Sequence, residues 1–188
     1  MNYVYHGSNI SDLKVIKKHN STHMKEWVYA SYSKAIATIF LSKQGSDLFY
    51  SLSGDGKNYP IELVERKPLM FKKIFNCSGY IYKLDALNFK ENQTGWSAEV
   101  VSDTDEKVIS FEYIENVYDE LIKLDNEGLI KLYLYPNRPN YVPLDNSDLI
   151  SKVLRWYKNG YNINSFYNIY PELKDNFLDE LRKINGNL

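Results

Sequence analysis

Tyr5-His6-Gly7-Ser8, then Val28-Tyr29-Ala30-Ser31, then an apolar helical pattern ending at Phe40: this is the stretch on which the fold turns. Val4 with its flanking tyrosines reads as a short strand stopped by Gly7-Ser8, and Trp27 to Ser31 as a second. Ser33 is placed to cap a helix whose Ile36, Ile39, Phe40 and Lys43 fall at helical spacing. The polar run from Lys17 to Glu26 reads as an exposed loop or single turn bordering these strands. A histidine and glycine closing one strand, a tyrosine on the next and an aromatic one helix later are suited to holding a nicotinamide ring.

Outward from this segment, Leu48 to Leu52 and Tyr59 to Val64 are β-like runs around Ser53-Gly54-Asp55-Gly56, where Asp-Gly favours a tight hairpin turn. Lys67 to Phe75 predicts a short helix entered by Pro68 at its first position. Gly79 to Leu84 reads as a strand. Val100-Val101 and Val108 to Ile114, separated by the turn-like Ser102-Asp103-Thr104-Asp105, read as a hairpin. Glu115 to Asp125 suits a helix through Val117, Leu121, Ile122 and Leu124, ended by Asn126 to Gly128. Leu129 to Tyr135 is strand-like or a helix remnant.

Pro136, Pro139 and Pro143 mark the best boundary, because clustered prolines continue neither regular element. Beyond them, Asn146 or Ser147 caps a helix carrying Leu149, Ile150, Val153, Leu154 and Tyr157, which Gly160 ends. A second helix from Pro171 shows Leu173, Phe177, Leu178, Leu181 and Ile184 at similar spacing. The expectation is an α+β body over residues 1–143 and a helical extension over 144–188 packed on it, one domain overall. No internal repeat or low-complexity tract interrupts the chain.

Composition narrows the function classes. With 188 residues, 44% of them hydrophobic, the chain can bury one sizeable core. Its formal net charge of -1 supplies no global basic field for holding a phosphate backbone. Cys77 is the only cysteine, which excludes an internal disulfide and a multi-cysteine zinc site and fits a reducing interior. The first residues carry no basic or apolar leader pattern, and no stretch approaches the ~20 apolar residues of a membrane span. A soluble, cytoplasmic protein without membrane partners is expected. Enrichment in Lys, Asn, Ile and Tyr is of the kind that AT-rich bacterial or phage genomes encode.

The nucleotide motifs with the strongest rules are missing. Gly54-Asp55-Gly56-Lys57 lacks the earlier glycine and the hydroxyl residue of a P-loop, and no Gly-x-Gly-x-x-Gly opens a helix. His19 and His23 lie four apart, but turn-like Asn20-Ser21-Thr22 separates them and no carboxylate or cysteine completes a metal set, so no metal site is expected. Cys77 has no neighbouring histidine or helix start to lower its pKa and reads as a small core residue.

His6-Gly7-Ser8 on a first strand, Tyr29 on a second, Phe40 eleven positions later and a downstream strand glutamate resemble the ADP-ribosyltransferase superfamily. The closer branch is the His-Tyr-Glu type of diphtheria toxin and the poly(ADP-ribose) polymerases. The resemblance covers roughly residues 3 to 114, leaving the helical tail outside, and implies a toxin-like bacterial or phage enzyme with a split β-sheet body and flanking helices. It implies NAD as substrate. His6 would bond the ribose and the Gly7 backbone would grip the carboxamide, with Ser8 beside them. Tyr29 and Phe40 would sandwich the nicotinamide, where cation–π attraction adds on the order of 1 kcal/mol.

Trp96-Ser97-Ala98-Glu99-Val100-Val101 resembles the catalytic strand of the superfamily, with Glu99 as carboxylate and Ser97 on the same strand face, so that both meet one ribose. Glu112, in Phe111-Glu112-Tyr113-Ile114, is the rival. Ala37 stands where the polymerases place a serine for the carboxamide, leaving Gly7 for that task with Ser31 or Thr38 as substitutes. The implied activity is mono-ADP-ribosylation of a protein, nucleic-acid or small-molecule acceptor, or NAD glycohydrolysis if water accepts.

Two other readings stay open. RNA 2'-phosphotransferases share the architecture but resemble it through paired Arg and His residues, and none of Arg66, Arg138, Arg155 and Arg182 lies near His6 or Tyr29 in sequence. A non-catalytic binding module would use the aromatic tail of Trp156, Tyr157, Tyr161, Phe166, Tyr167 and Tyr170 to stack bases or dock a partner.

Overall fold

A computed structural model describes residues 2–20, 23, 25–42 and 48–185. Lys43 of the expected helix and Ser21-Thr22 of the expected turn lie outside the described residues. In chain order the elements are β1 (Tyr3–Ser8), β2 (Val15–Ile16), β3 (His19–Asn20), β4 (Glu26–Ala30), α1 (Lys34–Ile39), β5 (Tyr50–Ser53), β6 (Glu62–Glu65), α2 (Met70–Phe75) and β7 (Gly79–Asp85). There follow β8 (Val100–Ser102), β9 (Glu106–Ile114), α3 (Val117–Asn126), β10 (Lys131–Tyr133), α4 (Asp148–Lys158), α5 (Asn164–Ile169), a 3-10 turn at Pro171–Leu173 and α6 (Lys174–Asn185). The protein is mixed α/β, with a curled antiparallel sheet and several helices.

Among the described residues three sheets carry the strands. An antiparallel sheet has the order β1-β7-β9-β2, a second has β10-β6-β5, and a third has β3-β4-β8. The antiparallel Tyr5–Ser31 bridge, with N···O distances of 2.7 and 2.9 Å, fastens β1 to the end of β4. Gly7 allows α1 to lie directly against β1, since a Cβ there would stand 2.3 Å from the Ala37 carbonyl oxygen. Ser33 caps α1, its hydroxyl accepting the Ile36 N–H at 3.4 Å, and Ala35 to Ile39 are all buried. Asn116 does the same for α3, which buries Val117, Leu121 and Leu124 along one stripe.

Several elements differ from the sequence reading. The expected hairpin of β8 and β9 does not form: β8 pairs with β4, and β9 with β7 and β2. The cause is the buried Glu106 carboxylate, which accepts the Ser102 and Thr104 hydroxyls and makes the turn a corner between sheets. The β5–β6 connection is a hairpin with Ser53 opposite Glu62, but its loop is longer than a tight Asp-Gly turn. The Asp55 carboxylate accepts the N–H groups of Lys57, Asn58 and Tyr59 and stabilises that longer loop. Helix α2 starts at Met70 rather than at Pro68, because Glu65 accepts the Phe71 N–H at 2.9 Å and acts as a remote cap. The segment left open between strand and helix is the strand β10, parallel to β6.

Beyond the prolines, α5 is an element that the spacing did not foresee. The tail shares its core with the body: Phe166 and Phe177 belong to one buried cluster with Tyr50, Phe71 and Phe75. The Tyr170 hydroxyl donates to the Leu48 carbonyl at 2.6 Å. Arg66 at the end of β6 and Asp148 at the start of α4 form a two-pronged ion pair of 2.9 and 2.7 Å. Among the described residues no helix is long and apolar enough to cross a membrane.

Candidate functional site

One cavity of about 330 Å³ gathers residues from three strands, a helix end and a turn: Tyr5, His6 and Gly7 of β1, His19 of β3, Tyr29 and Ala30 of β4, Phe40 after α1, and Glu99 before β8. Its volume lies at the low end of small-molecule pockets, about 300–1,000 Å³. Phe40 is a large apolar side chain left 40% exposed, and it is exposed at this cavity.

His6 is fixed by its neighbour strand. Its Nδ1 lies 2.7 Å from the Tyr29 carbonyl oxygen, and since a carbonyl only accepts, Nδ1 carries the hydrogen and Nε2 is left as an acceptor. Burial lowers the His6 pKa, the Tyr29 hydrogen bond opposes this, and nearby His19 lowers it further. The ring is therefore neutral, and a neutral imidazole can accept a hydroxyl hydrogen without adding charge to the cavity.

Glu99 sits in the turn leading into β8, its N–H donating to the Trp96 carbonyl at 3.2 Å. Burial pushes its carboxyl above the usual carboxylate range, while a Thr94 hydroxyl hydrogen bond and nearby His23 pull the other way. A half-buried carboxylate that shares a cavity with an acceptor imidazole and two aromatic rings can grip a polyhydroxyl group beside a flat ring. It can also stabilise positive charge developing between them.

The remaining residues expected at the site are placed otherwise. Ser97 does not share a strand face with Glu99, because β8 begins only at Val100 and Ser97-Ala98 form the preceding turn. The Ser97 hydroxyl donates to Asp55 Oδ2 at 3.2 Å. Ser31 is buried, its hydroxyl donating to the Ala98 carbonyl at 2.7 Å and accepting the Ser33 N–H. The Ser8 hydroxyl accepts the Ile10 N–H, and the Thr38 hydroxyl donates to the Lys34 carbonyl. None of these four hydroxyls lines the cavity. Glu112 lies on β9, exposed and ion-paired with Lys34 at 2.6 Å, also outside it.

Sequence reasoning missed His19. It falls in the run that reads as an exposed loop, yet β3 pairs it with Trp27 and brings its ring within 5.9 Å of Tyr29. His23 stacks on Tyr29 at 5.9 Å and 27°, with its Nδ1 3.3 Å from the tyrosine hydroxyl. The one available signal was the alternation of Trp27 and Tyr29, which invites a partner strand. Among the described residues no three His, Cys, Asp or Glu side chains are grouped as metal ligands would be. Cys77 donates to the Leu41 carbonyl. Comparison with protein-family models, with curated proteins and with solved structures finds no match, so function is argued from these residues and their geometry.

Proposed function

We propose that the protein is an NAD-dependent mono-ADP-ribosyltransferase of the His-Tyr-Glu type, or an NAD glycohydrolase where water is the acceptor. The observation that supports this reading most is the convergence of His6, Gly7, Tyr29, Phe40 and Glu99, from well-separated parts of the sequence, on one cavity. The curled antiparallel sheet, with β4 and β8 beside it, is read as the split sheet of that superfamily. The cavity volume suits the nicotinamide and its ribose, with the rest of the dinucleotide extending outward.

In this mechanism Tyr29 and Phe40 hold the cationic nicotinamide and His6 Nε2 accepts a ribose hydroxyl. The glycosidic C–N bond breaks and its electron pair leaves with nicotinamide. The Glu99 carboxylate offsets the positive charge that develops on the sugar. A lone pair of the acceptor then bonds the anomeric carbon and the acceptor proton passes to Glu99 or to solvent, so one proton is released per turnover. Among the described residues no arginine lines the cavity, which counts against the phosphotransferase alternative.

The direct test is incubation of the purified protein with NAD labelled in the nicotinamide and, separately, in the adenine. Release of nicotinamide with transfer to a protein or nucleic acid supports the transferase, and release with free ADP-ribose supports the glycohydrolase. Binding without release would leave a binding module. The pH dependence follows from Glu99. Only its ionised form stabilises the cation, and burial raises its pKa, so activity falls on acidification at a higher pH than an ordinary glutamate would give. A kcat profile flat down to the pKa of a free glutamate would remove Glu99 from this role.

A further inference from the structure

We propose that Asp55 and Trp96 are positioning residues that brace the Glu99 turn through the β5–β6 loop. The kinetic part of this inference rests on the function proposed above. The loop is stiff at its start. Gly54 adopts φ +81°, where an added Cβ would lie 1.8 Å from the Pro60 carbonyl oxygen. Asp55, 7% exposed, then gathers the loop. Its carboxylate accepts N–H groups from Lys57 and Asn58, both at 2.9 Å, and Tyr59 at 3.1 Å, and the Asn58 side-chain amide at 3.3 Å.

Two bonds carry that stiffness to the carboxylate turn. Ser97, two residues before Glu99, donates to Asp55 at 3.2 Å, and the Trp96 indole N–H donates to the Gly54 carbonyl at 3.2 Å. Trp96 also stands edge-on to Phe40, with centroids 6.0 Å apart and planes at 80°. The same side chain thus touches both the turn that carries the carboxylate and a ring that lines the same cavity. On the far side, Ser31 holds the Ala98 carbonyl and Val100 pairs with Ala30. Glu99 is therefore suspended between fixed neighbours, and loosening one side moves its carboxylate relative to the sugar. Misplacement by about 1 Å costs on the order of 10²-fold in rate.

The test compares Asp55→Ala, Asp55→Asn and Trp96→Phe in the full chain. In Asp55→Ala, kcat for nicotinamide release falls about 10–100-fold with a smaller change in KM. Asp55→Asn recovers part of the rate, because its amide oxygen still accepts loop N–H groups. Trp96→Phe keeps a ring against Phe40 and loses only the Gly54 bond, so its loss is smaller. The second readout is the titration of Glu99 by carbon NMR of its own carboxyl. This separates it from His6, His19 and Tyr29 of the cavity and from His23 nearby. In Asp55→Ala that titration moves down toward an ordinary glutamate as the freed turn hydrates.

A folded Asp55→Ala protein with unchanged kcat and unchanged Glu99 titration overturns the proposal, and so does a lowered Tm with neither readout moved. If the wild type releases no nicotinamide, the proposed function fails. The titration still decides whether the brace exists.

Discussion

Glu99→Gln is expected to lower kcat for nicotinamide release by about 10²–10³-fold, the usual loss when one preorganised electrostatic partner is removed, with little change in KM. Glutamine keeps the shape and the hydrogen-bonding reach but cannot offset a developing cation. Under the proposed function Tyr29 and Phe40 hold the nicotinamide, and the substitution leaves both in place, so substrate affinity persists. The same substitution should raise stability at neutral pH. The folded-state pKa of Glu99 lies above its unfolded value, so the folded state binds the extra proton, and folding weakens as pH rises through that window. Removing the charge relieves this at pH 7, by roughly 2–4 °C in Tm per kcal/mol at this chain length, and the gain vanishes in acid where both side chains are neutral. Undiminished turnover would eliminate Glu99 as the catalytic carboxylate. A Tm that drops at pH 7 would contradict the cost assigned to burying it.

The largest loss of stability is expected from Asp148→Ala, about 3–5 kcal/mol by urea denaturation. The Arg66 side chain is 2% exposed and that of Asp148 is 37% exposed. The guanidinium cannot shed its charge, and without Asp148 only the Asn146 side chain remains, at 3.3 Å. The Arg66 Nε already lacks a partner among the described residues. The reverse change, Arg66→Met, leaves a carboxylate that water can reach and fills the space with apolar atoms, so it should cost less. Equal losses from both variants, or a loss under about 1 kcal/mol for Asp148→Ala, would show that the pair behaves as a surface bridge.

The segments legible in the sequence are those whose signal is local. Ser33 caps a helix where its hydroxyl precedes apolar spacing, and Gly128 adopts a positive φ where α3 ends. His6, Gly7, Tyr29, Phe40 and Glu99 were named from the ordered motifs that carry the family resemblance, and all five line one cavity. Long-range polar pairing was not readable. Nothing local tells that Ser97 will bond Asp55 rather than face a ligand, that Glu106 will turn a hairpin into a corner, or that β3, two residues long, will carry His19 into the cavity. Helix α5 escaped because it buries Phe166 through contacts with α6 and the body, not through a periodic stripe of its own.

The shared core across the proline segment has a consequence for synthesis. Chains emerge from the ribosome N-terminus first, at about 5–20 residues per second. Every residue of the cavity is therefore made well before Phe166, Tyr170 and Phe177, which cover Phe71 and Phe75. A nascent chain stalled at residue 143 should be readily cleaved by protease, whereas one released at full length should resist it. Equal resistance would mean that residues 1–143 close without the tail. Under the proposed NAD-consuming function, such an order would keep the unfinished chain inactive.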